Sequence, residues 1–548
     1  MPHQAPIYPF QRAPEQDGRR VRHPVIIVGA GPVGLSAAID LKVRGIPVLV
    51  IDDDNTTSEG SRAIAWAKRT LEIWDRMGSA ERIKSKGVGW ELGKVFYRQE
   101  LLYQFTMKAN ESQKMPPFVN LQQYYVEEYL IDKCRELEIE IRWQTRLADV
   151  TSPADGPVSL SLETPQGSYQ TECDWLIAAD GARSQVRKSL GLGFKGQVFN
   201  ERFLIMDIRM LSDYPAERWF WFDPPFNPNQ SALLHMQADN VWRVGNQLGI
   251  RLEADFDADY EKSPARVIPR IKAMLGEDLE FELVWASIFT FQCRRLEKFV
   301  HNRIIFVGDA AHQVSPFGGR GANSGIQDTD NLAWKLQRIL QGQAPATLLE
   351  SYEVERGMAA DENILMSTRG TDFVTPKNKI AHTFRHAVLS LARTEEFARQ
   401  LVNSGRLSMP TIYPDSPLNT PDGDEFTGTM RPGTPCLDAA MLTAAGEPTW
   451  LLNQLTGDFC GLYYAGDTGH ADTLAALGAM ARDFRLLVIA APGGKGDIID
   501  HKGNFAAYYD AKPGTFYLVR PDQHVAARWR KATPQAVSQA LDRACGRN

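Results

Sequence analysis

Residues 25–54 read VIIVGAGPVGLSAAIDLKVRGIPVLVIDDD. Val25–Val28 is a short apolar, β-branched run, the pattern of a buried strand. Gly29, Gly31 and Gly34 complete G-x-G-x-x-G, residues 33–43 carry a helical pattern, and Val48–Ile51 is a second strand closed by Asp52. Each residue type has a physical reason. Gly29 permits the tight turn, Gly31 lets a pyrophosphate reach the backbone, and Gly34 lets helix and strand pack closely. Asp52 can accept hydrogen bonds from ribose hydroxyls. The glycine pattern alone is weak. A strand before it, a helix after it and an acid closing the next strand supply the context that a dinucleotide site requires. The motif does not separate NAD from FAD.

A second stretch, RIIFVGDAAHQVSPFGGRGANSGIQDTDNLAWKL at 303–336, reads as strand, carboxylate, glycine-rich loop and helix. Ile304–Val307 is the strand, and Gly308-Asp309 places a carboxylate at its C-terminal edge. Pro316 with Gly318, Gly319, Gly321 and Gly325 makes a loop whose N–H groups can approach a ligand. An amphipathic helix is predicted from about Asn323, with Ile326, Leu332, Ala333 and Leu336 for its buried face. This arrangement can hold a hydroxylated chain on Asp309 and an electron-rich carbonyl at the positive end of the helix. A third stretch, CDWLIAADGARSQVRKSLG at 173–191, is another strand (Trp175–Ala179) ending in Asp180-Gly181. With Arg183, Arg187 and Lys188 beside it, it reads either as a contact to a ribose and a second nucleotide's phosphates or as a surface turn.

The 548 residues suffice for two to four domains and a sizeable core. A net charge of −6 without a basic block argues against nucleic acid and against an anionic membrane surface. The six cysteines form no C-x-x-C and, with histidine, no cluster of zinc spacing, so free thiols and no metal are expected. The polar, Pro-rich N-terminus lacks the apolar region of a signal peptide, and no 18-residue apolar run occurs, so a cytoplasmic location is expected.

Residues 1–22 read as a flexible arm. Arg62 is either a phosphate or flavin contact or a solvated loop arginine. Residues 118–134 read as one amphipathic helix entered through Gln122-Gln123, where Gln123 is either a cap-region residue or a ligand contact. Residues 140–172 alternate like antiparallel strands. Residues 197–300, rich in aromatic and β-branched residues, read as a sheet forming the substrate wall. Helices follow to about residue 402, then a Pro/Gly/Ser/Thr/Asp-rich linker at 403–436 and a small α/β unit at 437–548.

GAGPVG at 29–34, DWLIAADGARSQVR at 174–187 and RIIFVGDAAH at 303–312, in this order, closely resemble the class A FAD-dependent aromatic hydroxylases. The phenol hydroxylase and 3-(3-hydroxyphenyl)propionate hydroxylase branch is the most similar, through GRLSMPTIYPDSPL and LVRPDQHVAARW as well. The resemblance implies an α/β fold: a Rossmann-like FAD-binding domain (23–196 and 301–402) with an interleaved β-sheet substrate domain (197–300), p-hydroxybenzoate-hydroxylase-like, and a thioredoxin-like C-terminal domain (437–548). It implies tightly bound FAD, with Gly29, Gly31, Gly34 and Asp52 at the ADP half and Asp180 serving FAD and the passing nicotinamide nucleotide. Gly308 and Asp309 would hold the ribityl chain, and the loop from Pro316 through Gly321, Ala322 and Asn323 would lie against the isoalloxazine. Arg62 and Gln123 match positions that touch the flavin, and His312 reads as structural more than catalytic.

The implied activity is hydroxylation of a phenol by O₂, through a flavin C4a-hydroperoxide, with NADH or NADPH as transient cosubstrate. A carboxylate-bearing, single-ring phenol in aromatic catabolism and a homodimer are the expectations. Pro316, Arg320, His235 and Gln292 are the candidate catalytic residues, with Tyr214 and Arg243 as further guesses in the sheet. Arg320 stands where the family's loop usually reads G-G-Q-G-M-N; it either favours an anionic flavin or acidic substrate or points to solvent. Asp52 replaces the more usual Glu, and the tail lacks a dithiol. A same-fold oxidase, reductase or epoxidase, or a non-catalytic assembly protein, are the alternatives.

Overall fold

The computed structural model describes residues 3–60, 62–211, 214–249, 256–402, 408–466, 471–480 and 484–547; the first residues of the expected linker, 403–407, lie outside these. The chain opens on the strand β1 (Arg22–Val28), the helix α1 (Pro32–Val43) and β2 (Val48–Ile51). Val25, Ile26 and Ile27 are fully buried, which is why an unbroken apolar run stands there. Next come α2 (Lys68–Arg76), β3 (Leu92–Tyr97), α3 (Gln123–Glu136), β4 (Glu140–Arg142) and β5 (Gly167–Ala178). The sheet-rich stretch holds β6 (Lys195–Met210), β7 (Arg218–Phe222), β8 (Ser231–Met236), β9 (Val241–Gly249) and β10 (Phe281–Arg295). The chain then returns through β11 (Ile304–Phe306) to α4 (Arg320–Leu340) and α5 (Leu349–Val374). The C-terminal part contributes β12 (Cys460–Gly466), β13 (Arg485–Ala490), β14 (Phe516–Val519) and β15 (Val525–Trp529).

The first sheet has a parallel core in the order β11-β5-β1-β2-β4. The three motif turns after β1, β5 and β11 therefore emerge side by side at the C-terminal edges of adjacent strands, where open α/β sheets bind ligands. The second sheet runs β10-β6-β9-β8-β7-β3, with His312–Gln313 beyond β10 and Glu100–Thr106 beyond β3. Its two faces differ. Leu204, Met206, Trp242 and Val244 pack under the helix Pro264–Leu275, while Phe203, Phe220, Phe222 and Phe291 face the loop after β11 and the helices beyond it. The third sheet, in the C-terminal part, includes β13-β12-β14-β15. The fold is the mixed α/β architecture of p-hydroxybenzoate-hydroxylase-like proteins.

Several elements differ from the expectations. The N-terminal segment is docked rather than a flexible arm: Tyr8 is buried and stacks on Trp143 at 4.6 Å, and Glu15 pairs with Arg142 at 3.0 Å. Residues 118–122 do not begin the helix; Phe118–Asn120 is a strand paired with Ala65–Ala67, and α3 starts at Gln123. The expected substrate sheet carries two helices, Ala258–Lys262 and Pro264–Leu275, which cover its far face. The described part of the expected linker has no regular structure but is packed, with Tyr413, Ser416 and Asn419 buried. All six cysteines are buried, and none is paired in a disulfide. Among the described residues no helix is long and apolar enough to cross a membrane.

Candidate active site

The nucleotide end is built by steric exclusion. Gly29 has φ 108°, and a Cβ there would lie 2.5 Å from the Ala179 carbonyl oxygen. A Cβ on Gly34 would lie 1.9 Å from the Gly29 carbonyl oxygen, so α1 approaches the strand turn only because residue 34 has no side chain. At Gly31 an added Cβ would meet nothing within 4 Å, which leaves the start of α1 open to a ligand. Asp52 accepts N–H bonds from Ala30 at 2.5 Å and Asp54 at 2.9 Å, and burial pushes its carboxyl up. Asp180 accepts from the Val186 amide at 3.0 Å through Oδ2, while its buried Oδ1 has no hydrogen-bond partner. A buried carboxylate oxygen left unpaired is costly, and this one has an acceptor to offer to a hydroxyl or amide.

At the other end, Asp309 stands at the tip of β11, reachable by solvent but closely ringed by protein. Burial raises its pKa, and the charges of His312 and Arg62 act in the opposite sense. Its Oδ1 is 3.9 Å from where a Cβ on Gly321 would sit, beside the first turn of α4. Gly318 and Gly319 have φ of 95° and 61°, and the Gly319 amide closes the turn onto the exposed Pro316 carbonyl at 3.0 Å. The Asn323 side chain fixes this corner. Its Oδ1 accepts from the Ala67 amide at 2.8 Å and the Thr70 hydroxyl at 2.7 Å, and its Nδ2 donates to the Ala65 and Gly319 carbonyls at 2.8 and 2.6 Å. Ala322 packs on the core beneath. Gly308 donates to Asp328 at 2.9 Å, and His312 pairs with the same oxygen at 2.7 Å, which gives His312 a structural place. Gln123 accepts from the Ala63 amide at 3.0 Å and donates to Glu127 at 2.8 Å, tying the loop that carries exposed Arg62 to α3.

The substrate-side sheet contributes a feature the sequence does not show. Arg218, His235, Arg243, Asp207 and Trp285 are register partners in one transverse row across β7, β8, β9, β6 and β10. Register partners share a face, and this is the face toward the motif loops: Arg243 donates to the Arg62 carbonyl at 3.3 Å, and a Cβ on Gly60 would lie 2.3 Å from Trp285. Asp207 holds Arg243 by two bonds of 2.8 Å. His235 makes no hydrogen bond to another described residue, and burial between Arg218 and Arg243 pushes its pKa well below the usual value. Burial lowers Arg218 to about 10. Arg218, Phe220 and Phe222 line one wall of a narrow crevice, with Phe317, Gly370 and Phe373 opposite. A roomier depression of 630 Å³ around Arg295, Glu353 and Asp361 touches none of the motif residues.

Of the candidate catalytic residues, His235 and Arg243 lie on this face. Gln292 does not: strand alternation turns it away from Phe291, which packs on Phe317. Tyr214 packs against Trp219 and Trp242 on the far side. Arg320 does not point to solvent; its guanidinium is buried and donates to Asn363 of α5 at 3.2 Å. Arg218, Asp207 and Trp285 were missed because only the register of five strands reveals that they meet.

Residues 22–367 match the family model described as FAD binding domain. The chain belongs to the class A FAD-dependent aromatic hydroxylases. The hydroxylase is 30% identical over 96% of its length to 6-methylpretetramide 4-monooxygenase of Streptomyces rimosus, 94% of which is covered. It is 24% identical over 92% of its length to a 3-(3-hydroxy-phenyl)propionate/3-hydroxycinnamic acid hydroxylase of Mycolicibacterium smegmatis, 90% of which is covered. Its fold matches the flavin-dependent monooxygenase PieE, solved with FAD and substrate, at TM-score 0.80 and 21% identity, covering 95% of this chain and 99% of that one. The residues present fit FAD: an open helix start at Gly31, an unpaired oxygen on Asp180, and an Asp309 carboxylate without a hydrogen bond among the described residues, beside the start of α4. When bound, FAD accepts hydride from NAD(P)H and activates O₂. The hydroxylase itself supplies a helix start beside Asp309, an aromatic wall of Phe220, Phe222 and Phe317, and a polar row in which Arg218 and the Asp207-paired Arg243 flank His235.

Proposed function

We propose that this hydroxylase acts on a phenolic ring that carries or develops negative charge, a carboxylate-bearing single-ring phenol of aromatic catabolism, and that it uses NADH or NADPH transiently. The observation that carries this reading is the Arg218–His235–Arg243 row on the cleft face. The Arg218 guanidinium favours a phenolate or carboxylate, Arg243 beside it is held in place by Asp207, and an imidazole kept neutral between the two can accept a hydrogen bond from a phenolic hydroxyl. Asp52, Asp180 and Asp309 are proposed as the FAD carboxylates, and Arg62 as a flavin-side cation. Arg320 loses the part of anion receptor to Arg218 and Arg243, since it is engaged with α5. A larger, fused-ring phenol is the second reading, favoured by the 30% identical relative named for 6-methylpretetramide. A homodimer belongs to the same proposal; light scattering of the purified enzyme tests it.

The test is anaerobic flavin reduction by NADH and NADPH with a panel of acidic single-ring phenols, neutral phenols and fused-ring phenols, followed by admission of air. Strong acceleration by an acidic phenol and a hydroxylated product carrying ¹⁸O from ¹⁸O₂ support the reading. Acceleration only by fused-ring compounds supports the second. Reduction indifferent to every compound, with H₂O₂ alone on aeration, overturns both in favour of an oxidase-like flavoprotein.

A further inference from the structure

From Ser324 to Lys335 one stripe of α4 carries Ser324, Asp328, Asn331 and Lys335, at helical spacing, and all four are buried. Their partners come from α5 and the C-terminal part. Asp328 holds the Gly308 amide and His312 with one oxygen and Arg356 of α5 with the other, at 2.6 Å. Arg356 continues to Ser324 and, at 2.6 Å, to the Tyr413 hydroxyl. The Tyr413 ring stacks on His524 at 4.9 Å, and His524 lies on Asp522 in the turn between β14 and β15. That turn is inserted into the FAD-binding part. Asp522 accepts from Trp334 at 3.1 Å, its carbonyl accepts from Arg69 of α2 at 2.8 Å, and Arg520 forks onto Glu355 of α5, which also takes Lys335 at 2.8 Å.

Buried ion pairs of this kind add little stability over apolar packing, because desolvating the charges offsets their attraction. What they do enforce is a single geometry, since one misplaced partner leaves a buried charge unpaired. The stripe is tied through Asp328 to the turn that carries Asp309, and it lies on the helix whose first turn stands beside that carboxylate. We propose that the Arg520–His524 turn of the C-terminal domain is a positioning element of the FAD site, acting through Tyr413, Arg356 and Asp328 on the Gly308–His312 turn. The inference rests on FAD binding and not on which ring is hydroxylated.

The experiment compares FAD dissociation constants and visible spectra of the full-length wild type, Tyr413→Phe and Asp522→Asn after removal and return of FAD. Tyr413→Phe deletes one hydroxyl and keeps the ring. Asp510→Asn, which breaks the Asp510–Arg530 pair elsewhere in the C-terminal domain, is the control. The expected result is FAD binding weaker by about 2- to 30-fold and a shifted flavin absorption band in Tyr413→Phe and Asp522→Asn. Asp510→Asn, with a comparable loss of thermal stability, should bind FAD as the wild type does. Unchanged FAD affinity in Tyr413→Phe, or an equal loss in Asp510→Asn, overturns the proposal and leaves the network a general structural one. If Asp522→Asn fails to fold, Tyr413→Phe against Asp510→Asn still decides.

Discussion

A methyl group at Gly34 would collide with the Gly29 carbonyl at 1.9 Å, whereas one at Gly31 would meet nothing within 4 Å of protein. Gly34→Ala is therefore expected to unseat α1 and destabilise the fold, by about 1–3 kcal/mol on the scale of overpacking. Gly31→Ala is expected to keep the wild-type melting curve without cofactor and lose FAD affinity. Calorimetry of both apoproteins with an FAD titration separates the two glycines. On the substrate side, Arg218→Met keeps most of the volume and removes the charge. KM for an acidic phenol is expected to rise about tenfold with little change in kcat, as for a lost charged hydrogen bond. Steady-state kinetics against a neutral phenol, which should be spared, checks it. The glycines and the carboxylates Asp52, Asp180 and Asp309 were legible because their spacing follows from local strand–turn–helix geometry. Arg218 and Trp285 were not, since they are 67 positions apart in sequence and are united only by pairing through β8, β9 and β6.

At the scale of the element, α4 departs most from its sequence pattern. Ile326, Leu332, Ala333 and Leu336 are buried as an amphipathic helix requires, yet Asp328, Asp330, Asn331 and Lys335 are buried too. An amphipathic pattern does not reveal the burial of the polar stripe, because periodicity records residue type and not what covers it. The covering comes from α2, α5 and a turn some 190 residues later, which no local window contains. The helix also begins at Arg320 rather than Asn323, because left-handed Gly319 ends the loop and the Asn323 amide holds that end from inside the first turn. Asn323→Ala is expected to leave the Ala67 amide and the Thr70 hydroxyl without their acceptor, at a cost of about 1–3 kcal/mol each when desolvated. A lower melting temperature and faster proteolysis at residues 315–320 are the readouts.

Across the whole molecule, acid should loosen the grip between the C-terminal part and the rest. Glu355, Asp328 and Asp522 are buried, which alone would raise their pKa, but Arg520, Arg356, Lys335 and the histidines outweigh this and hold all three below the ordinary range. Carboxylates with depressed folded pKa contribute stability that is complete above their unfolded values, 4.5 for Glu and 3.8 for Asp, and is lost as pH falls through the folded ones. The contribution of these three carboxylates is thus expected to be constant near neutrality, and the melting temperature to fall below about pH 4 as they are protonated. Glu355→Gln, which strands Arg520 and Lys335, should cost about 3–5 kcal/mol at neutral pH and flatten the acid limb; melting curves from pH 3 to 8 would show both. The six buried cysteines have a different consequence. Burial lifts Cys134, Cys173, Cys436 and Cys460 to about 12, so at neutral pH only about one thiol in 10⁵ is ionised. A catalyst that handles dioxygen leaks peroxide whenever turnover misfires, and peroxide attacks thiolates. Burial keeps these four thiols neutral, as hydrocarbon-like filling away from such an oxidant.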